Sequence, residues 1–403
     1  WGMKMKTSRI DTWAKIGKAY EHKPWKSMGL QLSYSYHTQQ MLAGRQTYDA
    51  EEGSLYANYI YQTIIKNTNR ILKFGGTMQQ TNRTENVNTI AYNNTENVIG
   101  AFTEYAHTFS RQVNMVLGLR LDYNSLYGLY TTPRLHIRYA PSEKIAFRGS
   151  FGRAYRSASI FSENLGLFAS NRTIQVYPSN QKGMYGLDNE DAINTGLNAT
   201  YKFTLNYRPG TFSTDYYYTY FLHQVVGDWE KSNAIRFYSS DKKSFAHSFQ
   251  CQLDYEIIRK MDIRLAYRYH DIQTTYSDVL LQKPLNAKHR AFINWAYETR
   301  NKWSFDYTIQ WIGKKRIPST LNNPEGKQFL LQSPSYFVSN MHLAKALKNN
   351  ISVYAGVENI FNYMQPIAIL DSANPFGSYF DASLIWGPTM GRSIYAGIRY
   401  QVK

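Results

Sequence analysis

Residues 131–153 read TTPRLHIRYAPSEKIAFRGSFGR, a complete hairpin in sequence form. Leu135, Ile137 and Tyr139 alternate with Arg134, His136 and Arg138. Beyond Ala140-Pro141-Ser142-Glu143 the alternation resumes, with Ile145, Phe147 and Phe151 set against Ala146, Arg148 and Ser150. One face is apolar and the other cationic. The strands of a soluble sandwich usually run about 5–6 residues. These run about ten, the length a tilted strand needs to cross a bilayer.

The same pattern extends outward through the chain. Upstream, alternating stretches cover 11–20, 28–40, 55–65, 70–80, 97–110 and 113–123; downstream they cover 192–203, 211–226, 244–256, 261–276, 289–298, 303–313, 336–346, 351–358 and 393–402. With the hairpin this makes roughly 17 strands, too many and too regular for a chain of separate domains. Short turns such as KNTN (66–69), FSRQ (109–112), IIRK (257–260) and LKNN (347–350) alternate with longer links. The longer links include a polar stretch after 40, the Asn/Thr-rich TNRTENVNTIAYNNTEN (81–97), almost forty residues across 154–191, and 359–392. Short turns on one rim and long loops on the other are the mark of a transmembrane barrel, which a soluble meander has no need of. An odd number of antiparallel strands leaves the first and last pointing the same way, so free edges are expected at the first strand and at 393–402.

Composition agrees. Aromatics make up 16% of the 403 residues, 35 of them Tyr and 8 Trp, while the mean hydropathy is negative. That mixture suits lipid-facing girdles around a polar interior. No apolar run approaches the roughly 18 residues of a membrane helix, and in lipid only a helix or a closed barrel satisfies its backbone. Lys and Arg total 46 against 29 Asp and Glu, a net charge of +17. These charges are scattered, with no block and no nucleic-acid module, so nucleic acid is not expected as a partner. Cys251 is the sole cysteine and falls on the same face as Phe249, Leu253 and Tyr255, which makes it a small lipid-facing filler. The chain opens at Trp1 without an export signal, so processing or truncation is expected to have removed its start.

GLRLDYN, PRLHIRYAPSEKIAFRGSFGRAYRSASIFSEN, GVENIFNY and the closing NPFGSYFDASLIWGPTMGRSIYAGIRY come in an order that resembles the barrel of TonB-dependent outer-membrane receptors. The resemblance spans nearly all of 1–403. It implies an all-β fold, a 22-strand transmembrane barrel around an N-terminal plug, of which this chain supplies strands 6 to 22, with plug and TonB box absent. It also implies an outer-membrane location among lipid and lipopolysaccharide, and uptake of a scarce nutrient, a ferric siderophore or other metal chelate. Contact with the TonB complex then runs through a plug this chain does not contain. The place where haem receptors carry their signature reads Tyr155-Arg156-Ser157-Ala158, which favours a siderophore over haem. A passive porin or adhesive barrel is the alternative, and a barrel enzyme stands third. No nucleophile, phosphate-loop or HExxH motif occurs, so neither catalysis nor a cofactor is expected.

Two sets of residues are candidates for function. Arg120, Arg134, Arg138, Arg148, Arg264 and Arg268 lie on polar strand faces and should point into the lumen. They form either a cationic path for an anionic chelate or ion pairs with plug carboxylates and with Asp122, Asp254 and Asp262. In the outer loops, Tyr155, Arg156, Arg172, Tyr177, Trp229, Tyr379, Phe380 and Trp386 could clasp a flat anionic ligand; equally, the aromatics could mark the head-group level and the arginines meet lipopolysaccharide phosphates. The nine histidines show no metal-ligand spacing. Asp188-Asn189-Glu190-Asp191 lacks a calcium loop's spacing and reads as the solvated entry to the next strand.

Overall fold

Long alternating stretches leave their backbone polar groups one economical partner, the neighbouring stretch. In a computed structural model, which describes residues 1–347 and 350–402, that pairing is nearly complete. The wall begins β1 (Met3–Tyr20), β2 (Lys23–Ala43), β3 (Gln46–Ile65), β4 (Asn67–Val87), β5 (Ile90–Thr108), β6 (Val113–Asn124), β7 (Gly128–Tyr139) and β8 (Ile145–Arg156). A small loop strand, β9 (Thr173–Tyr177), precedes wall strands β10 (Glu190–Leu205) and β11 (Arg208–Lys231). Loop strand β12 (Ala234–Ser240) is followed by β13 (Ser244–Ile258) and β14 (Met261–Tyr276) in the wall. After loop strand β15 (Val279–Gln282) the wall ends with β16 (His289–Glu298), β17 (Trp303–Ile312), β18 (Tyr336–Ala346), β19 (Ile351–Glu358) and β20 (Ser393–Tyr400).

Seventeen of these 20 strands therefore form the wall, each antiparallel to the next. β1 pairs only with β2 and β20 only with β19, and no ladder joins the two among the described residues. The free edges fall where the odd count puts them. Lys348 and Asn349 of the expected LKNN turn lie outside the described residues.

Two expected loops are not loops. β2 and β3 continue to a two-residue turn at Gly44 and Arg45, and β4 and β5 to Asn88 and Thr89, so the polar link after 40 and the Asn/Thr-rich 81–97 are hairpin. These strands run 19 to 21 residues, about twice what a bilayer needs. Their far halves stand clear of the lipid, where a strand needs no apolar face. The front half of the outer rim is thus built from tall hairpins and the back half from true loops.

Side-chain period sorts the wall into two faces. Leu117, Leu119, Leu121, Ile137 and Phe147 stand on one, apolar and exposed. Arg120 and Asp122 occupy the other and bond each other at 2.7 Å. A hollow on this second face is lined from six successive strands, β3 to β8. Side chains of so many strands converge only on the concave side of a curved sheet, so the polar face is the inner one.

The apolar core lies outside the membrane, in the cap over the outer rim. Residues 157–189, expected to be irregular, fold onto the tall hairpins. Phe161 is fully buried among Tyr48, Tyr92, Phe168, Tyr185 and Phe237, with ring centroids 5.1–6.4 Å away. β9 pairs in parallel with β12, fastening the same segment to the next loop. Tyr185 donates to the buried carboxylate of Glu85 at 2.5 Å. Burial first, and the field of Glu85 second, raise the Tyr185 phenol well above its usual range, which keeps it a donor. A second core gathers Ile317, Phe329, Tyr336, Leu384 and Trp386.

Ion pairs tie the cap across long sequence distances. Arg172 meets Asp381 at 2.7 Å with their side chains only 3% and 4% exposed, and donates to the Trp229 carbonyl at 2.8 Å. Asp228, fully buried, accepts from Arg236 and from the Ser277 hydroxyl, each at 2.7 Å. Arg316 grips both oxygens of Glu230 at 2.9 and 2.6 Å. The Lys315 ammonium donates to the Trp386 carbonyl and the Tyr336 hydroxyl.

Removing one member of a buried pair strands the other, at a cost of about 3–5 kcal/mol. Arg172→Ala should therefore release residues 359–392, seen as new chymotrypsin cleavage there, while the wall keeps its heat-modifiable mobility. Arg172→Met combined with Asp381→Leu should restore most of the resistance. If Arg172→Ala is as resistant as wild type, the pair does not hold the loop.

Burial, reinforced by Arg290, lowers Lys315 from its usual 10.5 to about 8. Between those values the unfolded loop binds more protons than the folded one, so stability from this group rises with pH across about 8 to 10.5. Relative to Lys315→Met, wild type should gain subtilisin resistance in residues 313–335 over that window. A difference that stays flat from pH 8 to 10.5 counts against this.

Candidate functional site

The concave face opens at the outer rim into a vestibule of about 550 Å³. β8 brings Arg156 to it, the far end of β11 Trp229, the end of β14 Tyr276, the link before β16 Lys283, and the folded segment 157–189 Glu163. Each is set by the strand or packed loop beneath it. The Trp229 indole, half-buried, is held by neighbours on both sides, since Asp228 and Glu230 are engaged by Arg236 and Arg316 and its own carbonyl by Arg172.

Arg156 is engaged by two carboxylates. Its Nε donates to Glu190 at 2.6 Å and its two terminal nitrogens to the oxygens of Glu163 at 2.9 and 2.7 Å. A ligand reaches this guanidinium only by sharing it with two carboxylates. Lys283 has no carboxylate partner among the described residues and is the available cation of the vestibule. The vestibule offers the half-buried Trp229 indole beside the Lys283 ammonium, apt for an anionic ligand with planar groups, while Tyr276, buried under Arg316, forms part of its wall.

Beside it, sharing Arg156, a hollow of about 400 Å³ is lined by Tyr155, Arg120, Asp122 and Arg134. Tyr155 stacks on Tyr130 at 4.3 Å, and Tyr130 donates to Asn189 at 2.7 Å.

Three expected ligand contacts are corrected. Arg172, Phe380 and Trp386 are buried in the cap: Arg172 is the clamp on Asp381, Phe380 packs on Trp1 at 4.8 Å, and Trp386 packs on Tyr336 at 5.9 Å. Tyr379 lies under the Lys327 ammonium at 5.1 Å, and Lys327 pairs with Asp371, joining two loops. Tyr177 is exposed, bonds Gln175 and does not line the vestibule. Glu190 and Asp191 do open a strand, yet they are not solvated; they pair with Arg156 and Arg153.

The lumen set divides as well. Arg120 pairs with Asp122 and Arg264 with Asp254, whereas Asp262 faces Glu256 and takes no arginine among the described residues. Arg134, Arg138, Arg148 and Arg268 have no carboxylate partner among the described residues. Nor do three His, Cys, Asp or Glu side chains gather as a metal site among them. Sequence reading missed Lys283, Tyr276 and Glu163, whose only signals were a lysine before Pro284, the end of a strand and a polar loop residue.

Comparison with known proteins follows the fold. The family model described as TonB dependent receptor-like, beta-barrel matches residues 7–360. No curated protein matches. Among solved structures, a mutant of the ferric enterobactin receptor PfeA from Pseudomonas aeruginosa is similar at a TM-score of 0.70 and 15% identity, over 98% of this chain and 62% of that one. The siderophore receptor PirA from Acinetobacter baumannii gives 0.71 and 13%, over 98% and 62%. The copper transporter OprC gives 0.72 and 12%, over 98% and 65%. The chain thus spans less than two thirds of the length of these structures, and at such identities the likeness speaks for the fold. By the family match across most of its length, the chain belongs to the TonB-dependent receptor-like β-barrels.

Proposed function

We propose that this chain is the wall and outer cap of an outer-membrane receptor that captures a metal chelate, a ferric siderophore in the first instance, for TonB-dependent uptake. The observation that carries the reading is the vestibule, where Trp229 and Lys283, which has no carboxylate partner among the described residues, line one space at the mouth of the concave wall. Family membership supports it, as do similar folds known as siderophore receptors and a copper transporter. The apolar outer face meets membrane lipid, and the cap stands among lipopolysaccharide. Coupling to TonB belongs to a plug domain of the whole receptor, and ligand capture to the cap.

The test uses the full-length receptor and a ferric catecholate. Each aromatic contact contributes about 0.5–1.5 kcal/mol beyond burial, so Trp229→Ala should weaken binding by roughly three- to tenfold, and Lys283→Gln by a similar factor. Tyr177→Ala should bind as wild type does, and all three should assemble normally. Equal affinity in Trp229→Ala, Lys283→Gln and wild type would place capture elsewhere. Uptake that survives loss of TonB would point instead to a passive pore.

A further inference from the structure

Across the strands, register aligns one row of polar side chains on the inner face. Arg138 stands opposite Arg148, Arg148 opposite Asn198, and Asn198 opposite Asp215. Asp215 stands opposite Gln250, Gln250 opposite Arg268, and Arg268 opposite Arg290. Directly opposed residues project to the same side of a sheet, so the row shares one face. Arg138 lies on the same side of β7 as Arg134, which lines the inner hollow, so the row belongs to the inner face, where Arg138, Arg148, Asn198 and Asp215 border a second hollow of about 750 Å³. With strands about 4.8 Å apart, the six steps cover about 29 Å.

The row also climbs. Arg138 is the penultimate residue of β7, beside the short-turn rim, while Arg290 is the second residue of β16, beside the long-loop rim. Because strands tilt in a barrel, a line drawn across them runs from one rim towards the other.

Its charges differ from those around it. Elsewhere on the inner face Arg120 meets Asp122, Arg264 meets Asp254 and Arg83 meets Glu52, with Arg134 the exception among the arginines named above. None of the row's four arginines has a carboxylate partner among the described residues. Arg148 donates to Asn198 at 2.8 Å, and Asn198 in turn donates to Asp215, the row's one carboxylate, at 2.7 Å. Arg138 with Arg148, and Arg268 with Arg290, are like charges set directly across a ladder, an arrangement that destabilises a sheet unless an anion lies between them.

We propose that this row is a track for small oxyanions of two or more charges, bearing carboxylate, phosphate or catecholate groups, along the inner wall between mouth and short-turn rim. It deepens the uptake reading and takes its inward direction from it. Guanidinium forks pair bidentately with oxyanions, and within each opposed pair, Arg138 with Arg148 and Arg268 with Arg290, one arginine engages the anion before the other releases it, the two pairs standing four strand steps, about 19 Å, apart as separate stations. Asn198 and Gln250 supply donors without fixed charge, and Asp215 midway keeps the anion from being held too long, as passage through several weak sites requires.

The probe is citrate, titrated calorimetrically at low ionic strength into the full-length receptor in detergent. Hydrogen bonds to charged groups are worth about 1.5–3 kcal/mol, so Arg138→Gln with Arg148→Gln, and Arg268→Gln with Arg290→Gln, should each weaken binding at least about tenfold. Arg264→Gln, already neutralised by Asp254, should match wild type, and Asp215→Asn should bind more tightly. Each double substitution relieves like-charge repulsion, so assembly should hold; if one fails to assemble, Arg148→Gln and Arg290→Gln singly carry the test. No citrate binding by wild type, or equal losses in Arg264→Gln and the double variants, would overturn the track. Double variants that bind citrate normally yet lose protease protection of a domain inside the lumen would make the row a docking strip, which also overturns it. Citrate binding that depends on the row, in a receptor that takes up no metal chelate, would sink the uptake reading and leave the track standing.

Discussion

A peptide N–H or C=O without a partner in hydrocarbon costs several kcal/mol, and the rest of this molecule follows from that constraint. It forces each stretch of wall to bond along its full length to its neighbours, which fixes register strand by strand. Register combined with the two-residue side-chain period then decides which residues face lipid and which face the interior. Leu119 and Arg120 are adjacent in sequence and end on opposite sides of the wall for this reason alone. The sheet is one residue thick with a polar inner face, so an apolar core cannot form within it.

That core has moved to the cap, the part in water, where burial of apolar surface is favourable. The cap loops have little regular structure of their own, and their stability comes from Phe161 and its aromatic neighbours together with the ties through Arg172, Asp228, Arg316 and Lys315. Buried ion pairs add little net stability over apolar packing. Here each of them joins segments remote in sequence, as Arg172 joins 157–189 to 359–392, so that one arrangement of loops has its charges satisfied and others do not. A rigid cap gives Trp229 and Tyr276 fixed positions over the lumen.

The wall was legible because lipid imposes alternation, and all seventeen of its strands carry that pattern at their membrane-spanning part. The far halves of β2 to β5 were not legible. Outside lipid a strand needs no apolar face, and TNRTENVNTIAYNNTEN shows the turn-rich composition of a loop while forming a hairpin. Among site residues, Arg156 and Trp229 could be found as a cation and an aromatic on long loops. Arg172, Phe380 and Trp386 looked the same in sequence and proved to be interior to the cap, a distinction that turns on Asp381, Trp1 and Tyr336, all distant along the chain. Arg290 was missed because its position opposite Arg268 exists only once the β14–β16 register is known.

The same distinction bears on where an anion would be drawn. A net charge of +17 suggests a uniformly attractive interior, yet the arginines nearest the mouth are mostly spent: Arg156 on Glu163 and Glu190, Arg316 on Glu230, Arg236 on Asp228. Paired charges present little field beyond about a Debye length of 8 Å. Among the described residues named above, the charge left over sits at Lys283 in the vestibule, at Arg134 in the hollow and in the row from Arg290 down to Arg138. Attraction therefore depends less on how many cations the chain carries than on which of them are left without a carboxylate, and apart from Lys283 at the mouth those stand where register puts them on the wall itself.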